Sequence, residues 1–117
     1  MKLSILQLIG NFQQGGSEQQ AVQLTRLLHE SGRFNVHVAV LDASGPLREQ
    51  VAQMGLSHEI NTYPLSSFYD ANALRQLRRF AHYLRGNSIE VVQTHDFYSN
   101  VFGMAGATLA RTPARIA

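Results

Sequence analysis

The sequence contains no cysteine among its 117 residues. This absence excludes disulfide bonds, thiolate nucleophiles and cysteine-based metal sites, and it gives no information about the redox compartment. No apolar run approaches the ~20 residues that a membrane-spanning helix requires, so none is predicted. The net charge is also small, because ten Lys and Arg residues and eight Asp and Glu residues give +2. Nucleic acid is therefore not an expected partner.

Several catalytic and cofactor motifs are absent as well. The sequence has neither the dinucleotide fingerprint G-x-G-x-x-G nor the P-loop G-x-x-x-x-G-K-[ST], and it lacks the G-x-S-x-G elbow of serine hydrolases. The five histidines show no H-x-x-x-H spacing, so no metal and no cofactor are expected. Asp42 follows the second predicted strand, where a dinucleotide fold would place a ribose-binding acid. Without the fingerprint, the pattern favours a turn-forming aspartate.

What the sequence does contain is an alternation of apolar runs with helical periodicity along its whole length. Its 44% hydrophobic content is sufficient for a sizeable core, and 117 residues fit one domain. Strands are predicted at residues 2–9, 34–41, 57–61, 89–94 and from 114 onward. Helices are predicted at residues 17–31, 46–55, 71–85 and 100–111, with a loop rich in serine, proline and aromatic residues at 62–69.

Helix boundaries carry their own signals. Ser17 and Gln20 have the spacing of a capping box at the start of the first helix. Gly32 is predicted to end that helix in a left-handed conformation. Asp70 is predicted to cap the third helix, with Gly86 as its stop.

The βαβαβαβαβ order of elements predicts an α/β fold. We expect a Rossmann-like three-layer αβα sandwich around a parallel sheet of order 3-2-1-4-5. In such sheets ligands bind beyond the carboxyl ends of the strands, near the switch point between strands 1 and 4. Residues 10–17 and 94–100 follow those two strand ends, so the functional site is predicted there.

The first of these turns runs through Gly15 and Gly16 directly into the first helix. Adjacent glycines let the backbone approach a ligand closely, and the free N–H groups at a helix start favour an anion. The alternative is that the glycines only permit a tight turn. Glu18 in the first helical turn has two interpretations: a favourable interaction with the helix dipole, worth ~0.3–1 kcal/mol, or acceptance of a hydrogen bond from a substrate hydroxyl.

His95 and Asp96 follow the fourth strand on the other side of the switch point. A histidine at this position can donate a hydrogen bond to a sugar hydroxyl or a carbonyl, or titrate near neutral pH. The alternative is a structural histidine whose ring is satisfied by its neighbours.

The third helix separates apolar from basic residues. One predicted face is apolar and buried: Leu74, Leu77, Ala81 and Leu84. The opposite face is basic: Arg75, Arg78, Arg79, His82 and Arg85. A solvated face is one interpretation, and a surface for anionic phospholipid headgroups is the other. The preceding loop favours the second because it is rich in large side chains: Tyr63, Leu65, Phe68 and Tyr69.

Three segments resemble the amino-terminal domain of family 4 retaining GT-B glycosyltransferases, and the similarity covers essentially the whole chain. The strand running into Gly15-Gly16-Ser17-Glu18 is similar to the family's G-G-x-E motif. The segment from Glu90 to His95 is similar to D-V-V-H-x-H, with Gln93 in place of the first histidine. Residues 103–113 resemble the family's small-residue helix before a G-x-P strand start.

The resemblance implies that residues 1–117 are the acceptor-side domain, one half of a GT-B fold. The enzyme would be a hexosyltransferase that moves a sugar from a nucleotide-diphosphate sugar to a glycan or lipid acceptor without a metal. His95 would be catalytic through contact with the transferred sugar. Substrate or donor-diphosphate binding would fall to four residues: Gly15, Gly16, Glu18 and Asp96.

The resemblance also sets expectations for the whole protein. The carboxy-terminal donor-binding domain has no counterpart here, so the chain is expected to be truncated and inactive alone. The implied role is cell-envelope polysaccharide or glycolipid synthesis in the cytoplasm. Independently of the resemblance, the basic face of the third helix predicts peripheral contact with the inner face of an anionic membrane through four residues: Arg75, Arg78, Arg79 and Arg85.

Two further interpretations stay open. One is a GT-B sugar-nucleotide 2-epimerase, and the other is a non-catalytic Rossmann-like nucleotide-binding module. Either enzyme predicts a reading frame that continues for about 200 residues, whereas the module predicts a stop near Ala117.

Overall fold

The computed structural model describes residues 2–13, 15–65 and 70–116, and the side chains of Phe97 and Tyr98 are not among the described groups. Gln14, and Phe68 and Tyr69 of the predicted aromatic loop, lie outside the described residues. The strands are β1 (Leu3–Ile9), β2 (Phe34–Val40), β3 (Asn61–Thr62), β4 (Val91–Thr94) and β5 (Ala114–Ile116). The helices are α1 (Gly16–Glu30), α2 (Leu47–Ala52), α3 (Ala71–Gly86) and α4 (Phe97–Ala110).

The five strands form one parallel sheet of order β3-β2-β1-β4-β5, which confirms the predicted order. β1 lies at its centre because every residue from Ile5 to Ile9 is buried, as expected for a strand covered on both faces. Ile5 pairs with Val36 of β2 on one side and with Val91 of β4 on the other.

Helices cover both faces of the sheet and enclose two cores. One core lies on the side of α3 and α4, and it includes Leu6, Leu8, Tyr63, Phe80, Leu84, Val92 and Phe102. The other lies on the side of α1 and α2, and it includes Ile9, Phe12, Ala21, Val22, Val38, Val40, Leu47 and Val51. Successive side chains of a strand point to opposite faces, so the central strands contribute to both cores. The predicted three-layer sandwich is confirmed.

The third helix packs against α4 through Phe80. A Cβ atom on Gly106 would lie 2.3 Å from the Phe80 ring, so this glycine lets the two helices approach closely. Asp70 caps α3 as predicted, since its Oδ1 accepts the N–H of Ala73 at 2.8 Å. The predicted burial of Leu74 is wrong, because Phe80 sets the inward face and leaves Leu74 50% exposed.

The predicted start of α1 is wrong by one residue. Gly15 is the N-cap, in an extended conformation, and among the described residues no side chain caps the helix. The predicted capping box of Ser17 and Gln20 is therefore wrong, since both residues lie inside the helix.

The predicted start of α4 is wrong by three residues. Asp96 and Ser99 form a capping box, so the helix begins at Phe97 and not at Asn100. This reciprocal pair of hydrogen bonds brings the helix start close to the end of β4, and it shortens the connecting turn to His95 and Asp96.

Other boundaries also differ, since α2 spans Leu47–Ala52 and not residues 46–55, and β4 begins at Val91 and not at Ile89. β3 pairs with β2 only through Asn61 and Thr62, at the end of the predicted segment 57–61 and one residue beyond it. Gly86 is the last residue of α3, and the left-handed residue in the turn that follows is Ser88, with φ 52°. Gly32 has φ 71° and ends α1 as predicted. No described helix combines the length and the apolar content that crossing a bilayer requires.

Candidate functional site

The two predicted turns meet at the carboxyl edge of the sheet. Leu8 of β1 pairs with Thr94 of β4, so the residues that follow these strands leave the sheet side by side. Gly10 begins the turn after β1, which we name the first turn (residues 10–15). His95 and Asp96 form the second turn, between β4 and α4.

Asp96 links the two turns. Its Oδ2 accepts the N–H of Gly10 at 3.0 Å, and its Oδ1 accepts the N–H of Ser99 at 2.8 Å. A Cβ atom on Gly10 would lie 2.6 Å from Asp96 Oδ2, so the approach requires glycine here. The predicted binding role of Asp96 stays a prediction, and the geometry adds a structural role that the sequence analysis missed.

His95 is held by a chain of two glutamine amides. Its Nε2 lies 2.5 Å from Oε1 of Gln7, a fully buried side chain on β1. The Nε2 of Gln7 donates in turn to Oε1 of Gln93 at 2.9 Å. Burial lowers the pKa of His95, and the negative charge of Asp96 opposes that shift only in part. This shift favours the neutral form of the imidazole.

A pocket of about 570 Å³ opens beside this chain. It is lined by residues from α1, β4 and the start of α4: Gln20, Leu24, Gln93, Thr94, His95, Asp96 and Asn100. The structure thus brings His95 and Asp96 together with the second and third turns of α1. Gly15, Gly16 and Glu18 are not in this lining. Among the described residues, no three His, Asp or Glu side chains lie close enough together to hold a metal ion.

The start of α1 leaves backbone donors exposed. The first helical hydrogen bond runs from the N–H of Gln19 to the carbonyl of Gly15 at 3.0 Å, and no described side chain caps the N–H groups before it. The carboxylate of Glu18 folds back toward Gly15, where a Cβ atom would lie 2.1 Å from Oε2. A Cβ atom on Gly16 would meet nothing within 4 Å. The helix start can therefore receive an anion over Gly16.

The first turn is anchored from below by the loop between β2 and α2. Phe12 is fully buried, its N–H donates to the carbonyl of Ser44 at 3.1 Å, and its carbonyl accepts the N–H of Leu47 at 2.9 Å. Gly45 has φ 126°, and a Cβ atom there would lie 2.2 Å from the carbonyl carbon of Phe12. Asp42 forms a turn as predicted, because its Oδ1 accepts the N–H of Ser44 at 3.0 Å. The hydrogen bond from the backbone N–H of Ser44, and then that from the Ser44 hydroxyl, lower the pKa of Asp42.

The arginines of α3 divide into two groups. The guanidinium of Arg79 lies 5.3 Å from the centre of the Tyr63 ring, and Nη2 of Arg85 donates to the carbonyl of Leu109 at 2.8 Å. Arg75 and Arg78 are exposed. The first pair therefore has structural partners, whereas the second pair projects into solvent.

Gln7 is the site residue that sequence reasoning missed. The available signal was a single amide within the otherwise apolar central strand, because a buried polar side chain requires a hydrogen-bonding partner. The identity of that partner depends on the pairing of β1 with β4, which the local sequence does not specify.

The sequence profile of the family described as Glycosyltransferase Family 4 matches residues 14–116. No curated protein sequence matches the chain significantly.

Solved structures share the fold. HepE from Anabaena, crystallised with UDP and glucose, has a TM-score of 0.69 and 18% identity over 96% of this chain and 28% of its own. The lipopolysaccharide outer core galactosyltransferase WaaB, in its apo form, has a TM-score of 0.64 and 10% identity over 94% of this chain and 31% of its own. The C-terminal domain of a Pyrococcus furiosus hydrogenase has a TM-score of 0.58 and 16% identity over 99% of this chain and 92% of its own. At these identities the likeness shows the fold alone, and this chain spans less than a third of HepE or WaaB.

Proposed function

This chain belongs to glycosyltransferase family 4, and from that premise we propose that it is the acceptor-side domain of a GT-B hexosyltransferase. The proposed reaction transfers a sugar from a nucleotide-diphosphate sugar to a glycan or lipid acceptor. The observation that carries the proposal is the half-buried imidazole of His95, held by Gln7 on a pocket wall at the switch point between β1 and β4.

Two neighbours support this substrate class. The structure of HepE contains UDP and glucose, and WaaB is described as a galactosyltransferase of the lipopolysaccharide outer core. Since this chain covers less than a third of either, we assign the donor-binding half of the site to a second, carboxy-terminal domain. A cell-envelope polysaccharide or glycolipid is the proposed product class. The hydrogenase domain shares the fold without that chemistry, so the proposal rests on the family and the site and not on the fold.

The start of α1 is the proposed diphosphate site. Negative charge grows on the diphosphate as its bond to the anomeric carbon breaks, and backbone N–H groups at a helix start stabilise such charge. The open space over Gly16 lets a phosphate approach the backbone. We assign to Glu18 the acceptance of a hydrogen bond from a substrate hydroxyl. Its carboxylate must turn away from Gly15 to make this contact. The proposed mechanism invokes no metal.

The second turn is the proposed sugar site. His95 hydrogen-bonds a hydroxyl of the transferred sugar close to the anomeric centre. Asp96 also lines the pocket. A carboxylate offers about four acceptor positions, and the N–H groups of Gly10 and Ser99 use two of them, so capacity remains for a substrate hydroxyl.

The test is a transfer assay with the full-length protein and a panel of nucleotide sugars. His95→Ala is expected to lower kcat by about 10²-fold or more, as for loss of one preorganised catalytic hydrogen bond. His29→Ala, in the last turn of α1, is the matched control and is expected to keep its turnover. Turnover within threefold of wild type in His95→Ala would contradict the assigned role.

Stability is measured alongside turnover, because His95→Ala leaves the buried Oε1 of Gln7 without its partner. A loss of about 1–3 kcal/mol of unfolding free energy is expected. The assay is therefore run well below the unfolding temperature of both variants.

Product analysis separates the alternatives. A 2-epimerase would convert the nucleotide sugar with no acceptor present. A nucleotide-binding module would bind the nucleotide sugar in calorimetry and release no nucleoside diphosphate. Acceptor-dependent release of nucleoside diphosphate supports the transferase.

A second proposal concerns α3 and an anionic membrane. The helix contains four arginines and no acidic residue, and the half-exposed Leu74 lies beside the exposed Arg75 and Arg78. Basic amphipathic surfaces of this kind bind anionic lipid through charge and a small apolar insertion. Arg79 and Arg85 are assigned a weaker contribution because they contact Tyr63 and Leu109.

Flotation with phosphatidylglycerol vesicles tests this surface. Binding is expected at low salt and is expected to fall as salt rises, because screening weakens surface charge. The double variant Arg75→Gln/Arg78→Gln should reduce binding, whereas the control Arg26→Gln/Arg48→Gln on α1 and α2 should not. Absence of binding at low salt, or an equal loss in both variants, would contradict the proposal.

A further inference from the structure

The buried amide of Gln7 is unusual for its position. It lies at the centre of β1, is fully buried, and shares its face of the sheet with the apolar Val38 of β2. An apolar residue would fill this position without a hydrogen-bonding requirement, whereas a buried amide loses stability unless its oxygen and its nitrogen both find partners. The partners present are His95 and Gln93, and both line the pocket.

The direction of this chain determines the tautomer of His95. The Nε2 of Gln7 donates to Gln93, so Oε1 of Gln7 faces the imidazole. An amide oxygen carries no hydrogen, and therefore Nε2 of His95 must carry the proton that the two atoms share. In the neutral ring, Nδ1 is then an acceptor.

The second ring nitrogen of His95 is left open to the pocket. No described group forms a hydrogen bond with Nδ1. Among the described residues, no buried side-chain nitrogen or oxygen lacks a partner, so Nδ1 is not buried. Because His95 lines the pocket, a ligand there can reach this atom.

We propose that Gln7 is a positioning residue that holds His95 in its Nε2–H tautomer, so that Nδ1 accepts a hydrogen bond from a substrate hydroxyl. This inference rests on the proposed function and makes it more specific, because an acceptor at Nδ1 selects a ligand that offers an O–H donor. Gln93 supports the arrangement by holding the amide of Gln7 in one orientation. Together the two glutamines select one of the two neutral tautomers of His95.

The direct test is the protonation pattern of His95 in the full-length protein. Long-range proton–nitrogen correlation NMR at neutral pH distinguishes the two tautomers, and the His95→Asn variant identifies the signal. Wild type is expected in the Nε2–H form. A proton on Nδ1 in wild type would overturn the proposal without any variant.

Substitution of Gln7 tests the cause. Gln7→Met removes the acceptor with little change in shape, and Gln7→Leu does so in a second, shorter side chain. Both are expected to give a mixture of tautomers and to lower kcat by about 10-fold to 100-fold, since misplacement of a reacting group has effects of this size. An unchanged tautomer in the variants that fold would overturn the proposal.

A matched control separates positioning from loss of a buried polar group. Thr25 is fully buried on α1, and its hydroxyl donates to the carbonyl of Ala21 at 2.8 Å without contact to His95. Thr25→Val is expected to leave the tautomer and kcat unchanged. Tautomer mixing in Thr25→Val as well would contradict a specific role for Gln7.

The outcomes also distinguish this inference from the proposed function. If Gln7→Met mixes the tautomers but transfer is unaffected, the positioning is correct and the catalytic role of His95 is wrong. If His95→Ala abolishes transfer and Gln7→Met leaves the tautomer unchanged, the catalytic role stands and the positioning is wrong.

Discussion

Two helices begin at the same edge of the sheet, and they differ in whether side chains cap their first N–H groups. α4 is closed by its own side chains, because Asp96 and Ser99 form a capping box and Asp96 also binds Gly10. The N-cap of α1 is Gly15, and no described side chain caps this helix. The proposed anion site therefore lies at the start of α1, whereas the second turn joins β4 to α4 and carries His95.

The glycines near these helix starts also differ in whether packing requires them. Gly10 and Gly45 are required by close contacts, with Asp96 Oδ2 in one case and with the backbone of Phe12 in the other. Gly16 faces open space. A glycine that is not needed for packing is the better candidate for contact with a ligand.

The largest expected effect is on the support of the first turn. Gly45→Ala forces an alanine into φ 126° and places its Cβ against the backbone of Phe12. Strain and overpacking together are expected to cost on the order of 3–5 kcal/mol. Chemical denaturation measures the loss, and Gly55→Ala, with φ 75° and no close contact, is the control with a smaller cost. Equal losses of stability in the two variants would contradict the proposal that the β2–α2 loop supports the first turn.

The next effect concerns the second turn. Asp96→Ala removes the cap of α4 and the acceptor of the Gly10 N–H, with an expected cost of roughly 2–3 kcal/mol. Glu18→Ala, the corresponding truncation at the start of α1, is expected to cost less than about 1 kcal/mol because a dipole interaction and an exposed hydrogen bond from the Ser17 hydroxyl are lost. Thermal unfolding measures the loss of stability in both variants. A larger loss in Glu18→Ala than in Asp96→Ala would contradict the comparison.

A pH titration of stability tests a region outside both turns. Burial, and then the neighbouring His58, lower the pKa of His37 from 6.5 to about 4. The unfolded chain therefore binds a proton more readily, and stability that is present above pH 6.5 is lost as the pH falls toward 4. The loss is expected to reach about 2–3 kcal/mol.

The His37→Gln variant should flatten this part of the stability curve. His95 also has a lowered pKa, so His95→Gln is measured in parallel and should remove a separate part of the acid loss. A curve that His37→Gln leaves unchanged would show that acid sensitivity does not come from this residue.

The smallest effect is the most informative about function. Gly16→Ala adds a methyl group where nothing lies within 4 Å, at the first residue of a helix. Stability is expected to rise by about 0.5–1 kcal/mol, while the KM for the nucleotide sugar increases because the methyl group keeps the diphosphate from the backbone. Improved stability with an unchanged KM would contradict the proposed diphosphate site.

Much of the fold could be predicted from the sequence. Apolar runs, helical spacing and glycine stops specify the nine elements, and the alternation of strands and helices specifies the parallel sheet order. The errors lie at boundaries, where alternatives of similar local quality compete. Ser17 is a favourable N-cap residue, yet Gly15 is the N-cap of α1. Asp96 caps α4, which therefore begins three residues earlier than predicted.

The site could be predicted only in part. His95 and Asp96 were expected at the switch point, and both line the pocket. The functions assigned to them, and to Gly15, Gly16 and Glu18, stay predictions. Gln7 lies 88 positions from His95 in the sequence, and no local pattern connects the two residues.

The turn that follows β1 shows where the boundary lies between sequence and tertiary structure. By itself the sequence determined that a helix starts at two adjacent glycines beyond the carboxyl end of a central strand, because strand and helix periodicities and glycine freedom are local properties. Only the tertiary structure decided that Asp96 joins the two turns through the N–H of Gly10, and that the buried Gln7 contacts His95. These outcomes depend on contacts between strands and helices distant in sequence, and packing creates such contacts only when the sheet is assembled.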